Sequence, residues 1–256
     1  MSLNTGLVAY YSMVPKEGSL LDYSNNGNHG TIYGALSTMY GMNFDGASGT
    51  ANDYIDCGNS NDLNPGTGEF TICTRLKKTN FFSVKTIAKK QSSYVNGWTV
   101  WSSSSNISLL LGGDSYVAVG ASGITDLSEE TTLVITLTKN GSNLDVRFYV
   151  DGVNASESLN VNVGNVSNSE PMLIAHNSHG GGSGSSFGGE INDFRIYNRP
   201  LTDQEVKDYH GIFNKQYLLT NRPGLQVETK RDFYYAKNKD LSNEPNLVAA
   251  YNFIPS

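Results

Sequence analysis

An asparagine-rich turn near the amino terminus carries residue types that bind calcium. Asp22 precedes the run Asn25–Gly30, and together they offer carboxylate, amide and backbone oxygens within nine residues. Because Ca²⁺ takes roughly six to eight oxygen ligands, Asp22, Asn25 and Asn28 are candidate metal ligands. The alternative is that these Asp and Asn side chains cap their own backbone, as they do in many glycine-containing turns. Three further acidic residues are alternative ligands: Asp45, Asp53 and Asp56.

Aromatic residues in the middle of the chain have the chemistry of a carbohydrate site. A sugar ring packs its C–H face on an aromatic ring and gives its hydroxyls to polar groups. Trp98 and Trp101 lie three residues apart, with Tyr94 before them and Tyr116 after them. Side chains alternate along a strand, so at most one tryptophan is expected to face a ligand, while the other belongs to the core. The candidate hydroxyl partners are Arg147, His176 and Asn177.

Signatures of nucleophilic catalysis and of transition-metal binding are missing from the sequence. The chain has no G-x-S-x-G elbow, and Gly182-Ser183-Gly184-Ser185 lies in a Gly/Ser tract typical of a loop. The histidines have no metal-motif spacing. Cys57 and Cys73 are too few for a disulfide-stapled scaffold and lack further zinc ligands. Two buried thiols are the expectation, and one disulfide is the alternative.

The elements that would position these residues are mostly strands. More than ten short runs rich in Val, Ile, Thr, Tyr and Phe are separated by Gly, Asn, Ser and Asp, which predicts two packed antiparallel sheets in a jelly-roll sandwich. Asn140-Gly141 and Asp151-Gly152 predict hairpins with type I′ turns. Thr202 and Glu205 have capping-box spacing, followed by apolar residues at helical intervals, so one short helix is expected after Pro200.

Composition and charge exclude several classes of partner. The net charge is −6, the isoelectric point is about 5.2, and basic residues form no cluster, which argues against nucleic acid. The longest apolar runs are far shorter than the roughly 20 residues of a spanning helix, so no membrane insertion is expected. The first residues lack a basic segment followed by an apolar core, which leaves export undecided.

A repeat links the two ends of the sequence. Leu7–Pro15 reads LVAYYSMVP and 247–255 reads LVAAYNFIP, with identical or conservative residues at most positions. Repetition is typical of arrays, so the domain is expected at 1–213, followed at 214–256 by a connector and the first strand of a next repeat. Self-association through this terminal strand is a further expectation. The alternative is that two unrelated strands share a common apolar pattern.

Seven segments, in order, closely resemble the laminin G-like domain of the concanavalin A-like lectin/glucanase superfamily. The resemblance covers roughly residues 6–213. The segments are Leu7–Tyr11, Asp22–Gly30, Phe44–Gly46, Tyr54–Asp56, Phe70–Ile72, Phe148–Gly152 and Gly189–Leu201.

The resemblance implies a recognition module, often for carbohydrate, attached to extracellular enzymes, adhesins, or surface and virion proteins. Several relatives bind calcium near the asparagine-rich turn with help from an acidic residue like Asp193. Hydrolytic relatives carry the pattern Glu-Ile-Asp-x-x-Glu on one strand, but here Asn192 and Arg195 replace its second and third carboxylates. Glycoside hydrolysis needs a carboxylate pair, so no enzymatic activity is expected.

The sequence therefore predicts a non-catalytic module that binds a glycan or surface polysaccharide, with possible help from calcium. Its expected location is extracellular, on a cell surface or on a virion. The main alternative is a structural or assembly module of a phage or viral particle, or of a cell-surface protein, with no glycan ligand. A degenerate hydrolase is a weaker alternative.

Overall fold

The structure is a computed structural model. It describes residues 2–46, 53–79, 84–91, 96–104, 106–112, 116–122, 127–156, 159–176 and 186–213. The chain divides into two compact units, Met1–Asp208 and Tyr209–Ser256, and both sheets lie in the first. The proposed connector and repeated strand at 214–256 lie outside the described residues.

The described residues form seventeen strands and one α-helix, as the all-β composition predicts. A short 3₁₀ helix also occurs at Asn61–Leu63. In chain order the elements are β1 (Leu7–Tyr11), β2 (Ser19–Leu20), β3 (Gly30–Tyr33), β4 (Leu36–Ser37), β5 (Met42–Asp45), β6 (Tyr54–Asp56), β7 (Phe70–Lys78), β8 (Lys85–Gln91), β9 (Gly97–Ser102), β10 (Asn106–Gly112), β11 (Tyr116–Ser122), β12 (Thr131–Asn140), β13 (Asn143–Val150), β14 (Val153–Asn154), β15 (Leu159–Val161), β16 (Leu173–Ile174), β17 (Gly188–Tyr197) and α1 (Asp203–Ile212).

These strands form two antiparallel sheets, which confirms the predicted jelly-roll sandwich. The nine-stranded sheet has the order β14-β13-β12-β7-β17-β5-β4, with β1 beside β17 and β15 beside β13. The eight-stranded sheet has the order β11-β10-β9-β8-β16-β6-β3-β2. Strands β8 to β11 pair in chain order, whereas β17 lies between β7 and β5, so the sheets combine consecutive hairpins with pairings between segments that are distant in sequence.

The hydrophobic core contains side chains from both sheets. Ile135 and Phe148 of the nine-stranded sheet and Trp98 and Leu109 of the eight-stranded sheet are each fully buried. Apolar residues alternate along β12, since Leu133, Ile135 and Leu137 belong to the core and the intervening positions do not. This alternation fixes which side chains of each strand point away from the core.

Both predicted hairpins form, but one turn differs from its prediction. Asp151 and Gly152 connect β13 to β14 with φ values of 50° and 78°, as a type I′ turn requires. In the other hairpin Asn140 pairs with Asn143, so the central residues are Gly141-Ser142 and only Gly141 has a positive φ. Glycine at the first central position is typical of a type II′ turn.

The helix α1 begins with the predicted capping box. The Glu205 backbone N–H donates to Thr202 Oγ1 at 3.3 Å, and the Thr202 backbone N–H donates to Glu205 Oε2 at 3.0 Å. Two donors at the start of the helix are thereby satisfied. The described part of the chain contains no helix that is long and apolar enough to cross a membrane.

The segment before α1 joins the amino-terminal residues. The Asn198 backbone N–H donates to the Gly6 carbonyl at 2.9 Å, and Arg199 Nε donates to the Thr5 carbonyl at 2.8 Å. Residues 198–199 and residues 5–6 are therefore neighbours at one end of the sandwich.

Both cysteines are free and buried, which confirms the expectation of two thiols. Burial raises the pKa of the Cys57 thiol to about 12 and raises that of Cys73 well above its ordinary value. Both groups therefore stay protonated at neutral pH, and neither has the thiolate character that makes a cysteine reactive.

Candidate functional site

The asparagine-rich turn is organised around the carboxylate of Asp22. Its Oδ1 accepts hydrogen bonds from the backbone N–H groups of Tyr10 and Ser24, both at 2.9 Å. Its Oδ2 accepts from Ser24 Oγ at 2.8 Å and from the Asn28 backbone N–H at 3.0 Å. Asp22 therefore connects the turn to β1, as expected if the carboxylate caps its own backbone.

The two asparagines proposed as calcium ligands have different surroundings. Asn28 is buried, and its Nδ2 donates to the Val8 carbonyl at 3.1 Å. Its backbone carbonyl accepts from the Tyr11 hydroxyl at 2.5 Å. Asn25 is exposed, with a φ of 71° that suits its place in the turn.

Asp193 forms a buried ion pair with Arg195. Arg195 Nε and Nη2 each lie 2.9 Å from one carboxylate oxygen of Asp193, which is a bidentate arrangement. The Arg195 guanidinium also lies over the Tyr10 ring, 4.1 Å from its centroid. The carboxylate of Asp193 is thus neutralised by an arginine on its own strand.

Of the four proposed calcium ligands, Asp22 and Asp193 use both carboxylate oxygens to accept hydrogen bonds from protein donors. In the part of the chain that the structure describes, no three His, Cys, Asp or Glu side chains group as they would around a metal ion. A Ca²⁺ ion at this turn would have to displace several hydrogen bonds of Asp22 and compete with Arg195 for Asp193. The calcium site stays a prediction.

Trp98 lies in the core, so the prediction that it contacts a ligand is wrong. The side chain is 0% exposed, and its ring centroid lies 5.7 Å from that of Phe70. Its Nε1 donates to the Leu63 carbonyl at 3.5 Å. Trp101, on the other side of β9, is half-buried, as expected from strand alternation.

One proposed hydroxyl partner, Arg147, lies on a different sheet from Trp101. Arg147 is exposed on β13 of the nine-stranded sheet, whereas Trp101 and His176 belong to the eight-stranded side of the sandwich. Arg147 therefore cannot share a site with them, which is a correction. Tyr116 begins β11, but its side chain is outside the described set, and Asn177 lies outside the described residues.

An aromatic column formed by Tyr33, Tyr54 and His176 lies on the outer face of the eight-stranded sheet. Tyr33 and Tyr54 are direct cross-strand partners whose ring centroids are 4.5 Å apart and nearly parallel. The His176 ring stacks on the other side of Tyr54, also at 4.5 Å. Because Ile55 between Tyr54 and Asp56 points into the core, these two side chains point outward.

Tyr33 is the exposed ring of this aromatic column, since Tyr54 is covered on both sides. Tyr33 is 44% exposed, so its face away from Tyr54 is available for stacking. Stacking on Tyr54, which is itself stacked on His176, holds Tyr33 in place and lowers the entropy lost when a ligand binds.

A row of polar and apolar side chains lies beside the aromatic column. Thr31 pairs with Asp56, Asp56 with Leu173, and Leu173 with Lys89. Thr31 is exposed and Asp56 is half-buried, and one Asp56 oxygen accepts the Gly58 backbone N–H at 2.8 Å. A hydroxyl and a carboxylate are thus available next to an aromatic face.

Burial changes the ionisation of two groups near the aromatic column. It lowers the pKa of Lys89 to about 8, with Glu170 acting in the opposite direction. It also lowers the pKa of His176, and the neighbouring Lys89 adds to this effect. His176 is therefore a neutral imidazole at neutral pH and stacks on Tyr54 as an uncharged ring.

Tyr33 and Tyr54 are not among the residues predicted from the sequence. They lie at the end of β3 and the start of β6, twenty-one positions apart, and only the antiparallel register brings them together. The sequence does contain a signal for this contact. Ile55 is buried and Ile32 is partly buried, so alternation places Tyr33 and Tyr54 on the same outer face once β3 and β6 are paired.

Comparison with known proteins places this fold in a family. The family model described as the concanavalin A-like lectin/glucanases superfamily matches residues 48–207, which is more than half of the chain. The chain belongs to the concanavalin A-like lectin/glucanase superfamily. This confirms the resemblance seen in the ordered sequence segments. No curated protein matches the sequence.

Solved structures with a similar fold include several toxin domains. The binding domain of Paraclostridial Mosquitocidal Protein 1 is 16% identical with a TM-score of 0.62, over 82% of this chain and 53% of that one. A botulinum neurotoxin DC binding domain in complex with SialylT is 15% identical with a TM-score of 0.62, over 84% and 53%. A structure of botulinum neurotoxin type C, whose cell entry is described as dependent upon two ganglioside molecules, is 16% identical with a TM-score of 0.63, over 81% and 51%.

This superfamily member spans about half the length of the toxin domains that it matches. At such low identity the similarity establishes the jelly-roll fold.

The strand that carries the hydrolytic pattern in superfamily enzymes is β17 in this chain. Glu190 accepts a short hydrogen bond from Thr38 Oγ1. Asn192 occupies a bulge, and its Nδ2 donates to Glu130 at 3.0 Å. Arg195 stands at the last carboxylate position and neutralises Asp193. In this superfamily member the segment supports hydrogen bonds and an ion pair rather than the carboxylate pair of a glycosidase.

Proposed function

We propose that this chain is a non-catalytic recognition module that binds a glycan on the outer face of the eight-stranded sheet. The observation that carries the proposal is the aromatic column, with the free face of Tyr33 next to Thr31 and Asp56. A sugar stacks its C–H face on Tyr33 and gives its hydroxyls to the neighbouring polar groups. Superfamily membership supports the proposal, and so does the description of similar toxin domains with a sialylated ligand and with gangliosides.

A glycan array followed by calorimetry with the best ligand tests this proposal. Tyr33→Ala removes the stacking face and should weaken binding by about tenfold to a hundredfold, whereas Tyr33→Phe should retain most of the affinity. The matched control is Tyr23→Ala, because Tyr23 is similarly exposed but lies at the asparagine-rich turn. Equal affinity of Tyr33→Ala and the parent chain would place the glycan elsewhere.

The same titrations test the proposed role of calcium. They are run with calcium and with a chelator, for the parent chain and for Asp22→Asn. If calcium assists binding, the chelator should weaken the parent chain and leave Asp22→Asn unchanged. Equal affinity in both conditions would assign Asp22 to the hydrogen bonds of the turn alone.

Assembly is the second candidate function, and the burial pattern of β1 and the residues after it supports it. Val8, Ala9, Tyr11 and Met13 are the buried residues of the first segment. The repeated segment 247–255 has Val, Ala, Tyr and Phe at the corresponding positions, while its clearest change is an alanine in place of the half-buried Tyr10. The match is thus strongest where the first segment packs into the core. This match supports the proposal that the chain is part of a tandem-repeat protein. We place that protein outside the cell, on a cell surface or a virion, because of its superfamily.

A further inference from the structure

The hairpin formed by β4 and β5 exposes large apolar side chains next to the aromatic column. Leu36 is 66% exposed and Met39 is 64% exposed, and Tyr33 lies three residues before Leu36. The sequence from Gly30 to Phe44 contains no charged side chain. Three of the seven large exposed apolar residues in the described part of the chain therefore fall within residues 33–39.

This exposure belongs to an ordered hairpin. Leu36 pairs with Asn43 across the β4–β5 ladder. The Thr38 backbone N–H donates to the Gly41 carbonyl at 2.8 Å, and Thr38 Oγ1 accepts the Gly41 backbone N–H at 3.0 Å. Since the turn is closed by these bonds, the backbone holds Leu36 and Met39 outward, and they keep this position before any partner binds.

The hairpin lies at the rim of the sandwich. Gly34 and Ala35 carry the chain from β3 of the eight-stranded sheet to β4, which is the edge strand of the nine-stranded sheet. Gly34 has a φ of 69°, and Asp53 packs so closely that a Cβ at Gly34 would lie 2.1 Å from its carboxylate oxygen. The exposed apolar side chains are thus directly continuous with Tyr33, the free end of the aromatic column.

We infer that this hairpin inserts Leu36 and Met39 into the surface of an uncharged lipid bilayer whose glycolipid headgroup is held at Tyr33. The inference rests on the proposed function for the headgroup contact. An apolar tip with no charged residue and a tyrosine at its base has the composition of an interfacial membrane contact. Asp45 and Asp53 beside the hairpin, together with the net charge of −6, disfavour an anionic membrane.

The size of the patch favours lipid over protein as the partner. A stable protein interface buries roughly 1,200–2,000 Å² in total and usually has a polar, charged rim. A few side chains on one short hairpin are far below that area. This inference differs from the sequence prediction that the chain does not insert into membranes. Here only the side chains of Leu36 and Met39 enter the lipid, and no helix spans the bilayer.

Depth-dependent fluorescence quenching tests the insertion. Leu36→Trp places a reporter on the exposed face of the hairpin, and Val153→Trp is the matched control, since Val153 is 68% exposed on β14 at the opposite edge of the nine-stranded sheet. Each variant of the chain is mixed with vesicles of brominated phosphatidylcholine, with and without the uncharged glycolipid lactosylceramide. We expect bromine to quench Leu36→Trp on the vesicles that capture the protein and to leave Val153→Trp unchanged. Capture without selective quenching, or no capture by either vesicle, would overturn the inference.

A second variant separates insertion from glycan recognition. Leu36→Asp combined with Met39→Asp should weaken vesicle binding at least tenfold while leaving the affinity for a free oligosaccharide unchanged. The opposite pattern, in which free oligosaccharide binding is absent but selective quenching persists, would defeat the proposed glycan function and retain the membrane contact. Unchanged vesicle binding by the double variant would also overturn the inference.

Discussion

The ion pair between Arg199 and Glu205 ties the segment after β17 to the first turn of α1. Both guanidinium contacts are 2.8 Å, and Glu205 also accepts the Thr202 backbone N–H. Chiefly through the Arg199 hydrogen bonds, the pKa of Glu205 falls from its ordinary value of 4.5 to about 2. Because the folded-state pKa is lower, this carboxylate stabilises the fold above pH 4.5, and the contribution is lost as the pH falls toward 2.

We therefore expect Glu205→Gln to lower the free energy of unfolding by about 2–3 kcal/mol at neutral pH. The deficit relative to the parent chain should shrink between pH 4.5 and pH 2, as measured by urea unfolding at a series of pH values. Glu17→Gln, at an exposed position, is the control and should change little. A deficit that stays constant across this range would mean that the substitution acts through packing instead of charge.

The residues of the proposed binding face show what a sequence can and cannot predict. Alternation correctly separates Trp98 from Trp101, because burial follows a period of two along any strand. It cannot tell which sheet a strand joins, so the sequence pattern wrongly groups Arg147 with residues of the other sheet. Tyr33 and Tyr54 are missed for the same reason, since their contact depends on a pairing between separate strands.

Among the elements, β17 has the most demanding environment. It pairs with β7 along one edge, while β5 and β1 share the other edge. Gly189 has a φ of 141°, and a Cβ there would lie 2.1 Å from the Lys77 carbonyl oxygen of β7. A side chain at this position would have to push two paired strands apart, in a backbone conformation that L-residues rarely adopt.

Gly189→Ala should therefore lower the free energy of unfolding by on the order of 2–4 kcal/mol, as measured by chemical denaturation. Gly141→Ala is the matched control, because Gly141 also has a positive φ, 64°, but beyond its chain neighbours no atom lies within 4 Å of where a Cβ would stand. Its cost should be roughly 1 kcal/mol, from the backbone conformation alone. Equal costs at both positions would mean that β7 and β17 accommodate the added methyl group.

Local signals in the sequence predict individual turns and helix ends more reliably than they predict the order of strands in the sheets. The capping box at Thr202 and the Asp151-Gly152 turn are contacts between near neighbours, and both are present. The Asn140-Gly141 turn is displaced by one residue, because the ladder extends to Asn140 and leaves Gly141-Ser142 as the loop. Strand order in the two sheets depends on distant pairings, for which one sequence has no local signal.

At the scale of the whole chain, the repeated segment leads to a prediction about association. A chain ending at residue 213 should fold, because both sheets and α1 lie within it, and should remain monomeric in light scattering across a concentration series. If residues 247–255 form the proposed strand, the full chain should associate as its concentration rises, since a strand with an apolar face seeks a sheet edge. The control is the full chain with Tyr251→Asp, which should remain monomeric like the shortened chain. A monomeric full chain at all concentrations would argue against assembly.

The hydrogen bonds from residues 198–199 to residues 5–6 have a topological consequence. The polypeptide enters and leaves the sandwich at one place, so the module can be spliced into a surface loop of a host protein without separating the two sides of that loop. The same closeness suits circular permutation. A chain that begins at Ser142, runs to Arg199, continues through a short linker into Thr5 and ends at Gly141 retains every strand.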